Sequence, residues 1–312
     1  MWCVRLSPGL LESRAMKNPP PPEIIGPTSS YYVSQRLKLH YVDWGNESAP
    51  TLLLVHGNKD HARSWDWVAR ALRDDYHVIA PDLRGHGDSA WAIGGHYTLH
   101  EFVLDVAQLI ETLEISPVTI VSHSLGGAVS LQYASIYPDR VAKLVAIEGL
   151  GPPPAMVEER MKVPAWKRID EWIQQVRGLS SRRPRHYPSI AAAAARMQDE
   201  NPHLSPEQSH HLTVHGVARN EDGTFSWKFD NYTRAFYPQG WDPDERMALW
   251  SRIDCPTLLV RGTESWASDP LQDGRIEAFR DARVANIEGA GHWVHHDRLD
   301  EFLRIVRGFL AG

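Results

Sequence analysis

Val118-Thr119-Ile120-Val121-Ser122-His123-Ser124-Leu125-Gly126-Gly127 is the stretch on which the fold turns. Its first four residues are apolar or β-branched, as in a strand buried on both faces, and Ala128 to Tyr137 continues with helical spacing. A strand that passes at once into a helix leaves a sharp turn, and Ser124 stands at its apex. A serine hydroxyl is a poor nucleophile until a strained, exposed turn holds it beside a base. Small residues two before and two after the serine let strand and helix pass closely enough to make that turn. Gly126 is such a residue; Ser122 brings a Cβ and a hydroxyl that the sheet must house.

Outward from this point the pattern is regular. Tyr31 to Val33 and Leu37 to Val42 alternate like a hairpin. Short runs follow at Thr51 to Val55, His77 to Ala80, Val118 to Val121, Leu144 to Ile147, Thr257 to Val260 and Arg283 to Ile287. Helical spacing lies between them at Trp65 to Leu72, Leu99 to Leu113, Ala128 to Tyr137, Arg275 to Phe279 and Leu299 to Phe309. Strands alternating with helices predict a mostly parallel, eight-stranded α/β sheet with helices on both faces. The alternation breaks at 150–250, which carries Pro152-Pro153-Pro154, the alanine run Ala191 to Ala195, and a hairpin expected from Leu212 to Phe229 turning at Asn220 to Gly223. That segment reads as a mainly helical cap inserted into a core of 29–149 and 251–312. Residues 1–28, with Pro19 to Pro22 and Gly26-Pro27, read as a disordered or extended leader. Met16 heads a shorter start, and residues 1–15 are expected to fall outside the native protein.

Composition narrows the function. The chain has 312 residues, 42% of them hydrophobic, enough for a sizeable core, and a formal charge of -6. No nucleic-acid footprint is present; Arg182-Arg183-Pro184-Arg185 is short enough to be a solvated loop. No run approaches the roughly 20 apolar residues that span a bilayer, so no membrane insertion is expected. Cys3 and Cys255 make no disulfide framework, which favours a reducing, cytoplasmic setting.

Four landmarks fall in a fixed order along these strands. His56-Gly57-Asn58 follows Thr51 to Val55; Asp82-Leu83-Arg84-Gly85-His86-Gly87-Asp88-Ser89 follows the next strand; the Ser124 turn comes third; Gly291-His292 follows the last strand. In this the chain resembles the α/β-hydrolase superfamily from about Tyr31 to Leu310, which implies the α/β-hydrolase fold. The resemblance implies Ser124 as nucleophile in a nucleophile elbow, His292 as its base, and the backbone N–H groups of Asn58 and Leu125 as the oxyanion hole. It also implies that the turn at Asp82 to Ser89 is structural, with His56 and His123 hydrogen-bonding beside the elbow. The acid stays open. Where much of the family has aspartate, three residues beyond a glycine, Gly262-Thr263-Glu264-Ser265 has serine. Glu148 ends the strand before the cap, where the haloalkane dehalogenases are similar in keeping a glutamate. Glu148 is therefore the first candidate, Glu264 the alternative, and Asp269 a third.

The same dehalogenases carry His-Gly-Asn at this loop, but their nucleophile is aspartate. A serine alkyl ether would be inert to water, so the resemblance implies carboxylic ester hydrolysis rather than dehalogenase or epoxide-hydrolase chemistry. Hydrolysis of amide, lactone or carbon–carbon bonds, and a slow-turnover ligand receptor, are the other functions the same residues could serve. No cofactor is implied, and the partner expected is a small or medium apolar ester. Trp65 and Trp266 are candidate pocket residues by position. Trp166, Trp172, Trp227, Trp241, Trp250, Met156, Met161 and Phe236 could enclose a chamber or form the cap's own core. His292, His295 and His296 form a cluster read as solvated rather than metal-binding, since further ligands are wanting near by.

Overall fold

A parallel sheet covered on both faces needs no polar alternation, and its central strands here bury most of their residues. In this computed structural model, residues 26–95, 97–235 and 242–312 are described. The sheet strands are β1 (Thr28–Ser34), β2 (Leu37–Asp43), β3 (Thr51–Val55), β4 (His77–Pro81), β5 (Val118–His123) and β6 (Val141–Ile147). After a two-stranded hairpin of β7 (Val217–Arg219) and β8 (Phe225–Trp227), the sheet resumes with β9 (Thr257–Gly262) and β10 (Ala282–Ile287). Its order is β1-β2-β4-β3-β5-β6-β9-β10. β1 and β2 run antiparallel to their neighbours, and the other six strands are parallel. This is the predicted eight-stranded architecture of the α/β-hydrolase fold.

The strand period of two sorts residues into two cores. Leu53, Ile79, Ile120 and Leu144 face α2 (Leu99–Thr112) and α3 (Leu125–Ile136) through Phe102, Leu109, Val129 and Tyr133. Leu52, Leu54, Val78, Val121 and Val145 face the other way, onto α1 (Asp66–Leu72) and α10 (Leu299–Ala311) through Trp65, Leu72, Phe302 and Val306. α2 starts at a capping box in which Thr98 N–H donates to Glu101. Between β6 and β9 lie α4 (Pro154–Lys162), α5 (Ala165–Ser180), α6 (Ile190–Glu200), α7 (Pro206–Gly216) and α8 (Pro243–Trp250); α9 (Val294–Asp297) follows β10.

Two expectations change. The hairpin expected from Leu212 is shorter, because a capping box at Ser205 and Gln208 starts α7, which runs on to Gly216 and buries Leu212. The strands are left with three residues each around Asn220 to Gly223. The expected helix at Arg275 to Phe279 is a single 3-10 turn, Arg275–Ala278, following Gly274 at φ +80°. Residues 1–25 of the expected leader, with Cys3, lie outside the described residues, and β1 begins at Thr28.

The turn after β4 fastens the antiparallel edge to the parallel strands. Asp82 accepts the N–H of Ala62 at 2.6 Å and of Asp88 at 2.8 Å, and His40 Nδ1 at 2.7 Å. A Cβ on Gly87, at φ +53°, would sit 2.1 Å from that carboxyl group, so glycine is required there. Arg84 answers the buried Asp105 of α2 with bonds of 2.6 and 2.8 Å. Burial opposes the charge on Asp82, but the hydrogen bonds from His40 and the backbone outweigh it and hold its pKa below the usual carboxylate value. A depressed carboxylate pKa contributes stability that is complete above the unfolded value, near 4, and lost as pH falls below it. Asp82→Asn should cost about 2 kcal/mol at pH 7. In urea unfolding at a series of pH values, the gap to the wild type should narrow steadily below about pH 4.

Candidate active site

β5 ends against two backbones that leave no room for side chains. A Cβ on Gly126 would lie 2.5 Å from the carbonyl oxygens of Val55 and His56, and one on Gly127 would lie 2.5 Å from Gly149 Cα. With helix and strands this close, Ser124 is held at φ 51°, ψ -113°, a conformation that costs an L residue energy and is kept only because its surroundings over-determine it. Its N–H donates to Ile147 O at 2.8 Å. Ser122 fits the sheet because its hydroxyl donates to Val145 O at 3.1 Å.

The structure brings Ser124, His292 and Glu148 into one chain of hydrogen bonds. His292 Nδ1 lies 2.7 Å from Glu148 Oε2, and Nε2 lies 3.0 Å from Ser124 Oγ. A carboxylate only accepts, so the imidazole proton sits on Nδ1 and Nε2 is free to accept the serine proton. Glu148, like Ser124, closes its strand at positive φ, 50°. Its Oε1 accepts Gly262 N–H at 3.0 Å, and its Oε2 also accepts the Ser265 hydroxyl. The two other candidate acids lie apart from this chain. Glu264 is exposed, and Asp269 accepts Leu271 N–H and Asn286 Nδ2 at 2.9 Å each. Ser265 is the residue that sequence reasoning passed over. Its signal was its place, three residues beyond Gly262, where its hydroxyl binds the Glu148 carboxylate.

Histidines frame the site without joining that chain. His123 Nε2–H donates to the His292 carbonyl at 2.9 Å, and burial pushes its pKa well down. Leu83 N–H donates to His56 Nε2 at 3.0 Å, so the His56 proton is on Nδ1, 2.7 Å from Gly57 O; burial lowers its pKa to about 3. His295 stacks on Trp65 with centroids 4.4 Å apart, and burial takes its pKa well down and that of His296 to about 3. His295 and His296 are thus packed rather than solvated, while His292 stays partly exposed. Asp66, His211 and His215 also lie close enough to share an ion, but Arg63 already pairs with Asp66 at 2.6 Å.

A cavity of about 1180 Å³ opens over Ser124. Asn58 and Leu125 lie beside Ser124 on its floor, and Leu125 is the first residue of α3, where an N–H has no acceptor within the helix. Asn58 is steadied by His86 Nε2, 3.1 Å from its Oδ1. Met156, Met161, Trp172 and Trp250 line the walls, and Trp266 faces in, 5.4 Å from the His292 ring. Trp65 does not line the cavity. The 3-10 turn Ala62–Trp65 carries it into the core, at 0% exposure, which corrects its candidacy as a pocket residue. Trp166 is exposed, and Trp227 packs on Tyr187; Trp241 and Phe236 lie outside the described residues.

A family model described as the alpha/beta hydrolase fold matches residues 50–299. The esterase Rv0045c of Mycobacterium tuberculosis is 28% identical over 276 residues, covering 86% of this chain and 84% of its own. The esterase YbfF of Escherichia coli is 28% identical over 263 residues, covering 83% and 92%. Epoxide hydrolase 1 of Caenorhabditis elegans is 24% identical over 298 residues, covering 90% and 70%. No helix among the described residues is long and apolar enough to cross a membrane.

The two tryptophans give a direct test of which one is core. Trp65→Ala should lower the unfolding free energy by about 3–5 kcal/mol. Trp266→Ala, at 54% exposure, should lower it by less than about 1 kcal/mol in the same urea titration.

Proposed function

Since the chain belongs to the α/β-hydrolase fold family, we propose that it is a serine hydrolase that cleaves carboxylic esters of small to medium size through Ser124, His292 and Glu148. The observation that carries this is the continuous relay from Ser124 Oγ through both nitrogens of His292 to Glu148 Oε2. His292 Nε2 takes the proton as Ser124 Oγ attacks the ester carbonyl carbon. Glu148 stabilises the imidazolium and holds its tautomer. The N–H groups of Leu125 and Asn58 receive the negative charge on the carbonyl oxygen, the first aided by the positive end of α3. His292 then returns its proton to the departing alcohol, leaving an acyl group on Ser124. Water, activated by the same imidazole, releases the acid.

The kind of nucleophile favours esters over epoxides. An epoxide opened by Ser124 would leave an alkyl ether that water cannot cleave at the carbonyl, since it has none, whereas an acyl-serine is itself an ester. The esterases among the relatives support the same choice. Glu148 rather than Glu264 is the proposed acid because it alone of the two bonds to His292.

With p-nitrophenyl butyrate as substrate, Ser124→Ala should abolish the burst and the steady release of p-nitrophenol. Glu148→Gln should lower kcat by about 10³–10⁴. Glu264→Gln should stay within about threefold, as for a surface charge. A Glu148→Gln enzyme within a few fold of the wild type, or a slow Glu264→Gln enzyme, would move the acid elsewhere.

A further inference from the structure

The wall that α8 gives to the cavity over Ser124 carries a cation that no carboxylate among the described residues pairs with. Arg246 lines it beside Leu249 and Trp250. Its guanidinium lies over the Trp250 ring, 6.0 Å from the centroid, and Nη1 is 3.6 Å from where a Cβ on Gly151 would be. The side chain therefore runs along the loop that leaves Glu148. It is only partly exposed. Among the described residues no carboxylate pairs with it, and the neighbouring segment 236–241 contains no acidic residue.

Other arginines near by are provided for. Arg275 bonds to Asp273 and to the carbonyls of Leu150 and Gly151, and Arg160 pairs with Glu171 at 2.5 Å. Glu148 is committed to His292, and Glu171, the other carboxylate among the described lining residues, is committed to Arg160. Holding an arginine half out of water without an acid costs free energy. Burial and the field of Arg275 duly push the Arg246 pKa down. An arriving anion would offset that cost, and the guanidinium fork matches a carboxylate with two parallel bonds.

We propose that Arg246 is a specificity-determining residue that receives a carboxylate of the substrate, so that the ester cleaved is anionic, with an apolar span between its charge and the carbonyl at Ser124. This rests on the serine-hydrolase function proposed above and replaces the apolar ester expected from the sequence by a charged one. The apolar span is what Leu249, Leu150 and Trp172 would cover.

Two matched pairs of esters test it. Mono-p-nitrophenyl glutarate and p-nitrophenyl pentanoate differ by a charge on the acyl side, and 4-acetoxybenzoate and phenyl acetate by a charge on the alcohol side. In at least one pair the wild type should favour the charged member by more than tenfold in kcat/KM. Arg246→Gln should reduce that ratio at least tenfold and Arg246→Lys by less, and rising salt should erode it. A wild type without preference in either pair, or a ratio that Arg246→Gln leaves within twofold, overturns the proposal. The wild-type ratio answers even if the variant does not fold. Should no ester turn over and a fluorophosphonate fail to label Ser124, the hydrolase function itself has failed. Calorimetric titration with glutarate and with benzoate then decides the anion site separately: binding weakened at least tenfold by Arg246→Gln upholds it, and no binding of either to the wild type removes it.

Discussion

The close approach of Gly127 to Gly149 sets where everything else at the site can be. Two backbones meet there without a Cβ between them, which draws the start of α3 against the loop that leaves β6. The same crowding at Gly126, against the carbonyls of Val55 and His56, fixes the helix over the end of β3. Ser124 and Glu148 then close two neighbouring parallel strands, both at positive φ, and both turn toward the loop after β10 that carries His292. The energy of these strained conformations is offset by the buried sheet beneath them, with Ile120, Val121, Leu144 and Val145 fully enclosed.

Much of this was legible in the sequence because the chemistry sits at local signals. Ser124 lies between a β-branched run and small residues, and His292 follows the last strand, so neither needs knowledge of distant contacts. The proposed acid did need it. β6 and β9 are adjacent and parallel, and carboxylates near either end could reach the same imidazole. No spacing along the chain distinguishes Glu148 from Glu264; what does is the backbone at Glu148 and the donors Gly262 and Ser265 that surround its carboxylate. Trp65 failed for a related reason. Its position after the His56 loop is near the site in sequence, but the 3-10 turn points its ring to the opposite face of the sheet, among the side chains of α1 and α10.

The histidines show how burial separates residues of one type. Of the sixteen in the chain, His56, His86, His123, His295 and His296 are enclosed, and their pKa values are driven down because the interior disfavours the imidazolium. They serve as neutral donors, acceptors and packing surfaces. His292 differs in having a carboxylate on one nitrogen and a hydroxyl on the other, under an open cavity.

Ser265 occupies the place from which much of the family supplies its acid, yet here its hydroxyl rests on the carboxylate of Glu148. The ends of the adjacent strands β6 and β9 thus meet at one negative charge, which both of them hold. What reads along the chain as a missing acid is, in the fold, a donor to the carboxylate that the neighbouring strand provides.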